Sequence, residues 1–271
     1  MYRMVVLTRS VRFALNPSSE QPGDRGPNGY AGNPPMAGLG AHYELIVNCR
    51  GRVAEVPGYL INIKEIDRMV RSETVPQIQQ SLNGGWVREP GELLPKILGS
   101  LAQPLRGLLL SLRWKLTPYY SVEMAAAAPT TVLVRQKFDF CAAHRLNVAS
   151  LSEAENQRLF GKCNYPGGHG HNYQFEPCIA VTLDGTGKQR FGVRDLEQLA
   201  DELIVQRFDH KNLNRDTSEF KDGSGLNPSV ENIARVCYEL LVGAVSSANP
   251  AARLQSVTVW ESDRTSCTYP G

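Results

Sequence analysis

Two stretches of this chain repeat at one constant offset. Gly38-Leu-Gly-Ala-His-Tyr-Glu-Leu45 runs parallel to Gly168-His-Gly-His-Asn-Tyr-Gln-Phe175, and Tyr59-Leu-Ile-Asn-Ile-Lys-Glu-Ile66 to Gln189-Arg-Phe-Gly-Val-Arg-Asp-Leu196. Near the ends of the two halves, Leu112-Arg-Trp-Lys115 answers Thr258-Val-Trp-Glu261. Such an internal duplication restricts the fold strongly, because any architecture open to one copy must be open to the other. The length agrees, since 271 residues suit two domains of the usual ~100–200 residues. The uncharged run Met124-Ala-Ala-Ala-Ala-Pro-Thr-Thr131 falls near the midpoint and reads as a linker. The expected division is a first domain over 1–124, a linker over 125–131 and a second domain over 132–271.

Periodicity supplies the elements of the second half. Thr131 to Cys141 is rich in Val, Phe and Thr and reads as a strand, and His169 to Leu183 as a longer one. From Arg194, Leu196, Leu199, Ala200, Leu203 and Ile204 recur at helical spacing. A second helix is expected after Asn227 as N-cap and Pro228 as first helical residue, burying Ile233, Val236, Cys237, Leu240 and Leu241. Leu254 to Glu261 and Thr265 to Tyr269 close the half as a hairpin. Strands in runs beside helices in runs predict an α+β layer, an antiparallel sheet with helices on one face. The first half fits the same order, with Asn16 to Gly40 as a long Gly/Pro-rich loop.

Composition removes several classes of function. Hydrophobic residues at 42% and charged residues at 21% describe a globular chain rather than a disordered one. No apolar run approaches the ~20 residues of a membrane helix, and Arg3, Arg9 and Arg12 interrupt any signal-peptide core, so a soluble cytoplasmic protein is expected. A net charge of +2 without a Lys/Arg-rich run makes nucleic acid an unlikely partner. The six cysteines form no Cys-x-x-Cys pair and read as free thiols.

The chemistry is lopsided, with His144, His169, His171 and His210 in the second half and only His42 in the first. His169 and His171 open a predicted strand, where alternate side chains share a face, and His144 closes the strand before it. Three neutral imidazoles brought together suit a catalytic zinc ion with one position left open. Cys163 lies in a polar Gly/Pro loop, where a nearby cation favours the thiolate, a form able to take a proton. Asp209 and His210 sit between the two helices. Glu261 shares a strand face with Val257 and Val259, a carboxylate among apolar neighbours that needs a partner.

The segments Ala143-His-Arg-Leu146, Leu159-Phe-Gly-Lys-Cys-Asn164, Gly168-His-Gly-His-Asn-Tyr173, Phe208-Asp-His-Lys-Asn-Leu213, Asn227-Pro-Ser-Val-Glu-Asn232 and Val259-Trp-Glu261 together resemble the 6-pyruvoyl-tetrahydropterin synthase family, which includes the 6-carboxytetrahydropterin synthases. The resemblance covers Val132 to Pro270. It implies a tunnelling fold, a four-stranded antiparallel sheet with two helices on one face, whose subunits join edge to edge into a barrel. It further implies that 7,8-dihydroneopterin triphosphate is the substrate, bound at subunit interfaces of a homo-oligomer. By the same resemblance His144, His169 and His171 are zinc ligands, Cys163 is the proton-abstracting base, Asp209 and His210 are a proton relay, and Glu261 anchors the pterin. Ser229 and Glu231 fall in a segment near the pterin, with Ser229 where Thr is common.

The gap between Cys163 and His169 resembles the pyruvoyl-forming enzymes, whereas Asn227-Pro228 looks more like the carboxy-forming bacterial ones of queuosine biosynthesis. A pterin-binding scaffold without turnover is the reading from another class. In the first copy Leu39 and Ala41 stand at the paired-histidine positions, Asn33 at Cys163, Gln79 and Gln80 near Asp209-His210, and Lys115 at Glu261; no histidine lies near Phe13 to Pro17. That copy is expected to be a degenerate, non-catalytic tunnelling-fold domain. If six such folds make a particle, three chains suffice as a pseudo-hexamer.

Overall fold

The computed structural model describes residues 4–17, 29–84 and 89–271. The chain forms two compact units, one from Met1–Val134 with Val181–Arg190, the other from Arg135–Ala180 with Phe191–Gly271. Segment 125–131 is no free spacer. Ala125 closes one strand, Thr131 opens the next, and the turn between them is held by Ala128 N–H to Ala125 C=O and Thr131 N–H to Ala128 C=O.

In the first unit β1 (Met4–Leu15) and β2 (Ala41–Arg52) pair antiparallel in unbroken register. A helix follows in two parts, α1 (Ile63–Met69) and α2 (Val75–Gly84), joined by a π-helical turn over Val70–Thr74. After α3 (Leu94–Ala102), strands β3 (Leu109–Lys115) and β4 (Tyr120–Ala125) complete the antiparallel sheet, and β5 (Thr131–Gln136) begins beyond the turn. The alternation of β1 and β2 sends Val11, Phe13, Leu45, Val47 and Cys49 into a core with Ile66, Val70, Ile78, Ile97 and Leu101 of the helices. Each fully buried aliphatic or aromatic side chain contributes about 1.5–3 kcal/mol. The intervening residues make a polar face, where Glu44 receives Arg12 at 3.0 Å and Lys115 at 2.9 Å. Of the expected Asn16–Gly40 loop, residues 18–28 lie outside the described residues. Residues 29–40 form turns tied to β1 by Asn33 N–H to Arg12 C=O and Ala14 N–H to Pro34 C=O.

The second unit repeats this order with insertions. The strand expected over Thr131–Cys141 breaks at Lys137 and resumes as β6 (Phe138–His144). Helix α4 (Glu153–Phe160) and β7 (His169–Thr182) follow, then α5 (Val193–Ala200), a π-helical turn over Asp201–Val205 and α6 (Gln206–Phe208). Short β8 (Lys211–Asn212) and α7 (Leu213–Asp216) lead to α8 (Val230–Ala248), and β9 (Ala252–Ser262) with β10 (Thr265–Tyr269) forms the closing hairpin. Helix α8 starts later than the sequence suggested. Ser229 is its N-cap, because its hydroxyl accepts from Asn232 N–H, whereas Asn227 turns its side chain to Asn147 N–H. The sheet is covered by Leu196, Ile204, Phe208, Ile233, Cys237 and Leu241, with Phe140 stacked on Tyr173 at 5.1 Å. The repeat extends to cross-strand partners, since Phe13 faces Tyr43 in the first unit as Phe140 faces Tyr173 in the second. The mixed α+β fold is the one expected.

Candidate active site

The β6–β7 register builds the centre of the site. His144, the last residue of β6, lies opposite His169, the first of β7, and His171 follows on the same face. Gly168 makes the approach possible: it has φ +73°, and a Cβ there would meet the His144 carbonyl at 3.0 Å. The three rings are 4.5, 5.2 and 4.8 Å apart, and one nitrogen from each falls within 4.8 Å of the others.

The protonation of His144 is set by its partner. Its Nδ1 lies 2.7 Å from the Pro228 carbonyl, which can only accept, so Nδ1 carries the proton and Nε2 presents a lone pair. That Nε2 is 3.1 Å from His169 Nε2 and 3.4 Å from a Glu261 carboxylate oxygen. Glu261 is also 3.5 Å from His171 Nε2. Burial, and then the two neighbouring imidazoles, push the His144 pKa down to about 4, and burial also lowers His169. His169 Nδ1 and His171 Nε2 are buried with no hydrogen-bond partner among the described residues. Three imidazoles gathered this closely, with two buried nitrogens left without a partner, fit a bound cation.

Two further groups flank this cluster. Cys163 lies half-buried in the 3-10 turn Gly161–Asn164 that continues α4, and its carbonyl accepts from Leu146 N–H, two residues past His144. Burial raises the Tyr173 hydroxyl well above its ordinary range, and the charges of Glu261 and Cys163 push the same way. Asp209 and His210 are held against β6. Asp209 accepts from Cys141 N–H at 2.8 Å and from His210 Nδ1 at 2.7 Å, and His210 N–H donates to the Cys141 carbonyl. These donors, Cys141 N–H first, hold the Asp209 carboxyl below its usual range. His210, at φ +55°, keeps its ring exposed and lines with His171 a cleft of about 610 Å³ that also contains Cys141, Lys211 and Asn212.

The family profile for 6-pyruvoyl tetrahydropterin synthase matches residues 133–271, half of the chain. The chain belongs to this family. It is accordingly an enzyme, a lyase of the 6-pyruvoyl tetrahydropterin synthase type. Among curated proteins it is 36% identical over 138 residues to the human 6-pyruvoyl tetrahydrobiopterin synthase, covering 51% of this chain and 90% of that one. The Poecilia reticulata protein of the same name is 33% identical over 132 residues, covering 49% of this chain and 85% of its own. Among solved structures, the Caenorhabditis elegans 6-pyruvoyl tetrahydropterin synthase aligns with 34% identity and a TM-score of 0.46, over 52% of this chain and 96% of that one.

Within this synthase-family unit the remaining expected residues lie at the head of α8. Ser229 spends its hydroxyl on the helix cap, and Glu231 is exposed in the first turn, where its charge bears on Cys267 of β10. Neither has a hydrogen bond or ion pair to the histidine cluster among the described residues. Sequence reading missed the Pro228 carbonyl and Tyr173, both of which touch His144. The backbone contact has no side-chain signature, whereas Tyr173 stands at the next inward position after His171. In the first unit Leu39 is fully exposed, Gln79 and Gln80 sit within α2, and Lys115 is paired with Glu44.

Proposed function

We propose that residues 132–271 act as a zinc-dependent lyase on 7,8-dihydroneopterin triphosphate, releasing triphosphate to give 6-pyruvoyl-tetrahydropterin. The observation that carries this reading is the His144–His169–His171 cluster, its free nitrogens turned toward one another beside Glu261, in a chain of this family. The three histidines hold the zinc, which when bound supplies Lewis-acid polarisation of the substrate's side-chain oxygens. Cys163 as thiolate removes a proton from the side chain, and His210, oriented by Asp209, carries a proton on the other side of the substrate. Glu261 accepts the two adjacent N–H donors of the aminopyrimidine edge in a fork. Ser229 fixes the head of α8 and Glu231 flanks the pterin pocket. Residues 1–124 form a degenerate, non-catalytic tunnelling-fold domain, joined through 125–131, that helps complete a barrel in a homo-oligomer.

The test is triphosphate release from 7,8-dihydroneopterin triphosphate, with Cys163→Ala as control. The expected loss in the variant is about 10²–10⁴-fold, the usual contribution of a general base. Bound pterin without turnover in the unmodified chain would make it a scaffold. Asn227-Pro228 favours a second reading, a 6-carboxytetrahydropterin product, and mass spectrometry of the released pterin separates the two.

A further inference from the structure

Arg145 follows the ligand His144 directly and is gripped from two sides. Its guanidinium closes on a single residue: Nε donates to the Asn164 carbonyl at 2.8 Å and Nη2 to the Asn164 side-chain oxygen at 3.2 Å. Asn164 is the neighbour of Cys163 and is 1% exposed. Its amide nitrogen returns to the same stretch of chain, donating to the Leu146 carbonyl at 2.8 Å and to Asn147 Oδ1 at 3.0 Å. On the other side, Asn214 of α7 takes both backbone groups of Arg145, accepting its N–H at 2.7 Å and donating to its carbonyl at 3.0 Å. Asn214 stands just beyond β8, which pairs with β6 through Ala142–Lys211 and Ala143–Asn212, and β8 follows Asp209 and His210 without a break.

Arg145 therefore touches the thiol loop with its side chain and the relay segment with its backbone, while peptide-bonded to His144. Its charge is not spent on an ion pair, since no carboxylate lies within ion-pair distance among the described residues. The contact uses the shape of the guanidinium, a rigid fork of N–H donors that a lysine ammonium cannot reproduce. Proton abstraction depends steeply on the placement of the base, and a misplacement of about 1 Å costs on the order of 10²-fold in rate.

We propose that Arg145 is a positioning residue whose guanidinium fork on Asn164 sets the Cys163 thiol relative to His144 and the Asp209–His210 relay. The proposal rests on the lyase reading for its kinetic readout but not for its chemical one. In the full-length protein, Arg145→Gln is expected to lower kcat about 10- to 100-fold while KM changes by less than about three-fold, with metal content unchanged. Arg145→Lys, which keeps the charge and loses the fork, should resemble Arg145→Gln. Added methylguanidinium should restore kcat in Arg145→Ala by about five-fold or more and do nothing for Cys163→Ala.

Without substrate, iodoacetamide labelling read by peptide mass spectrometry should show Cys163 reacting about five-fold or more faster in Arg145→Gln, with Cys267 as internal reference. An unchanged kcat, full activity in Arg145→Lys, or metal lost in parallel with kcat would each overturn the assignment. Unchanged labelling of Cys163 would overturn it too. If the unmodified chain releases no triphosphate yet Arg145→Gln accelerates labelling with its metal intact, the lyase reading fails and the positioning role stands.

Discussion

Of the three clustered histidines, His144 is the most buried. It is fully buried, its Nδ1 proton is committed to Pro228, and its Nε2 meets a second imidazole nitrogen at 3.1 Å. A neutral His169 that donates from Nε2 to that lone pair still leaves its own Nδ1, and His171 Nε2, buried without a hydrogen-bond partner, and burial opposes the protonated form of His144. A cation resolves the conflict, which makes the cluster strongly asymmetric in its response to substitution. His169→Ala or His171→Ala should reduce bound metal from about one ion per chain to near zero, because a site with three protein ligands loses most of its affinity with one removed. His42→Ala, on an exposed position of β2, should leave metal content unchanged. Metal analysis after dialysis reads both, and two ions per chain in the unmodified protein would defeat the idea that only one unit carries a site.

At the scale of elements, the two units share an unusual detail and part company at one point. Each carries a π-helical turn at the same stage of its first long helix, Val70–Thr74 and Asp201–Val205. Beyond it α2 runs on through Gln79 and Gln80 to Gly84, while α6 stops at Phe208. The stop has a visible cause: Asp209 gives its carboxylate to Cys141 N–H and turns extended, and His210 takes a positive φ. Phe208 anchors the turn, fully buried between Phe140 at 5.9 Å and Phe220 at 5.8 Å. Phe208→Ala should cost about 3–5 kcal/mol of stability, measured by urea unfolding. A loss under about 1 kcal/mol would mean the aromatic cluster does not hold the relay segment. The strands, the long helices and the gathering of His144, His169 and His171 are legible because hydrophobic period and histidine spacing are local properties. Helix α4 has an equally local signature, since Ser152 and Glu155 form a reciprocal capping box. The grip of Pro228 on His144 and of Asn214 on Arg145 was not legible, because each joins a backbone group to a side chain far along the chain.

At the scale of the whole molecule, the candidate reactive side chains all lie in the second unit, although both units carry a similar order of strands and helices. The second unit carries His144, His169, His171, Cys163 and Glu261, and at the offset of the sequence repeat the first unit has other residues, though its sheet sets buried Phe13 opposite Tyr43. A first unit that completes a barrel, as proposed above, needs the sheet and not the chemistry. The strand edges point the same way. Among the described residues, β1 of the first unit is twelve residues long and pairs only with β2, with Met4, Val5 and Val6 exposed, and β10 of the second unit pairs only with β9. Long, partly apolar edges invite pairing with another chain unless something covers them. If six tunnelling folds close edge to edge as proposed, three chains are needed, and native mass spectrometry should give about three times the 29.9 kDa chain, roughly 90 kDa. The trimer should persist in Cys163→Ala, because closure depends on strand edges and not on the reactive thiol. A monomer at working concentration would remove the barrel from the proposed function and leave the first unit without the task assigned to it.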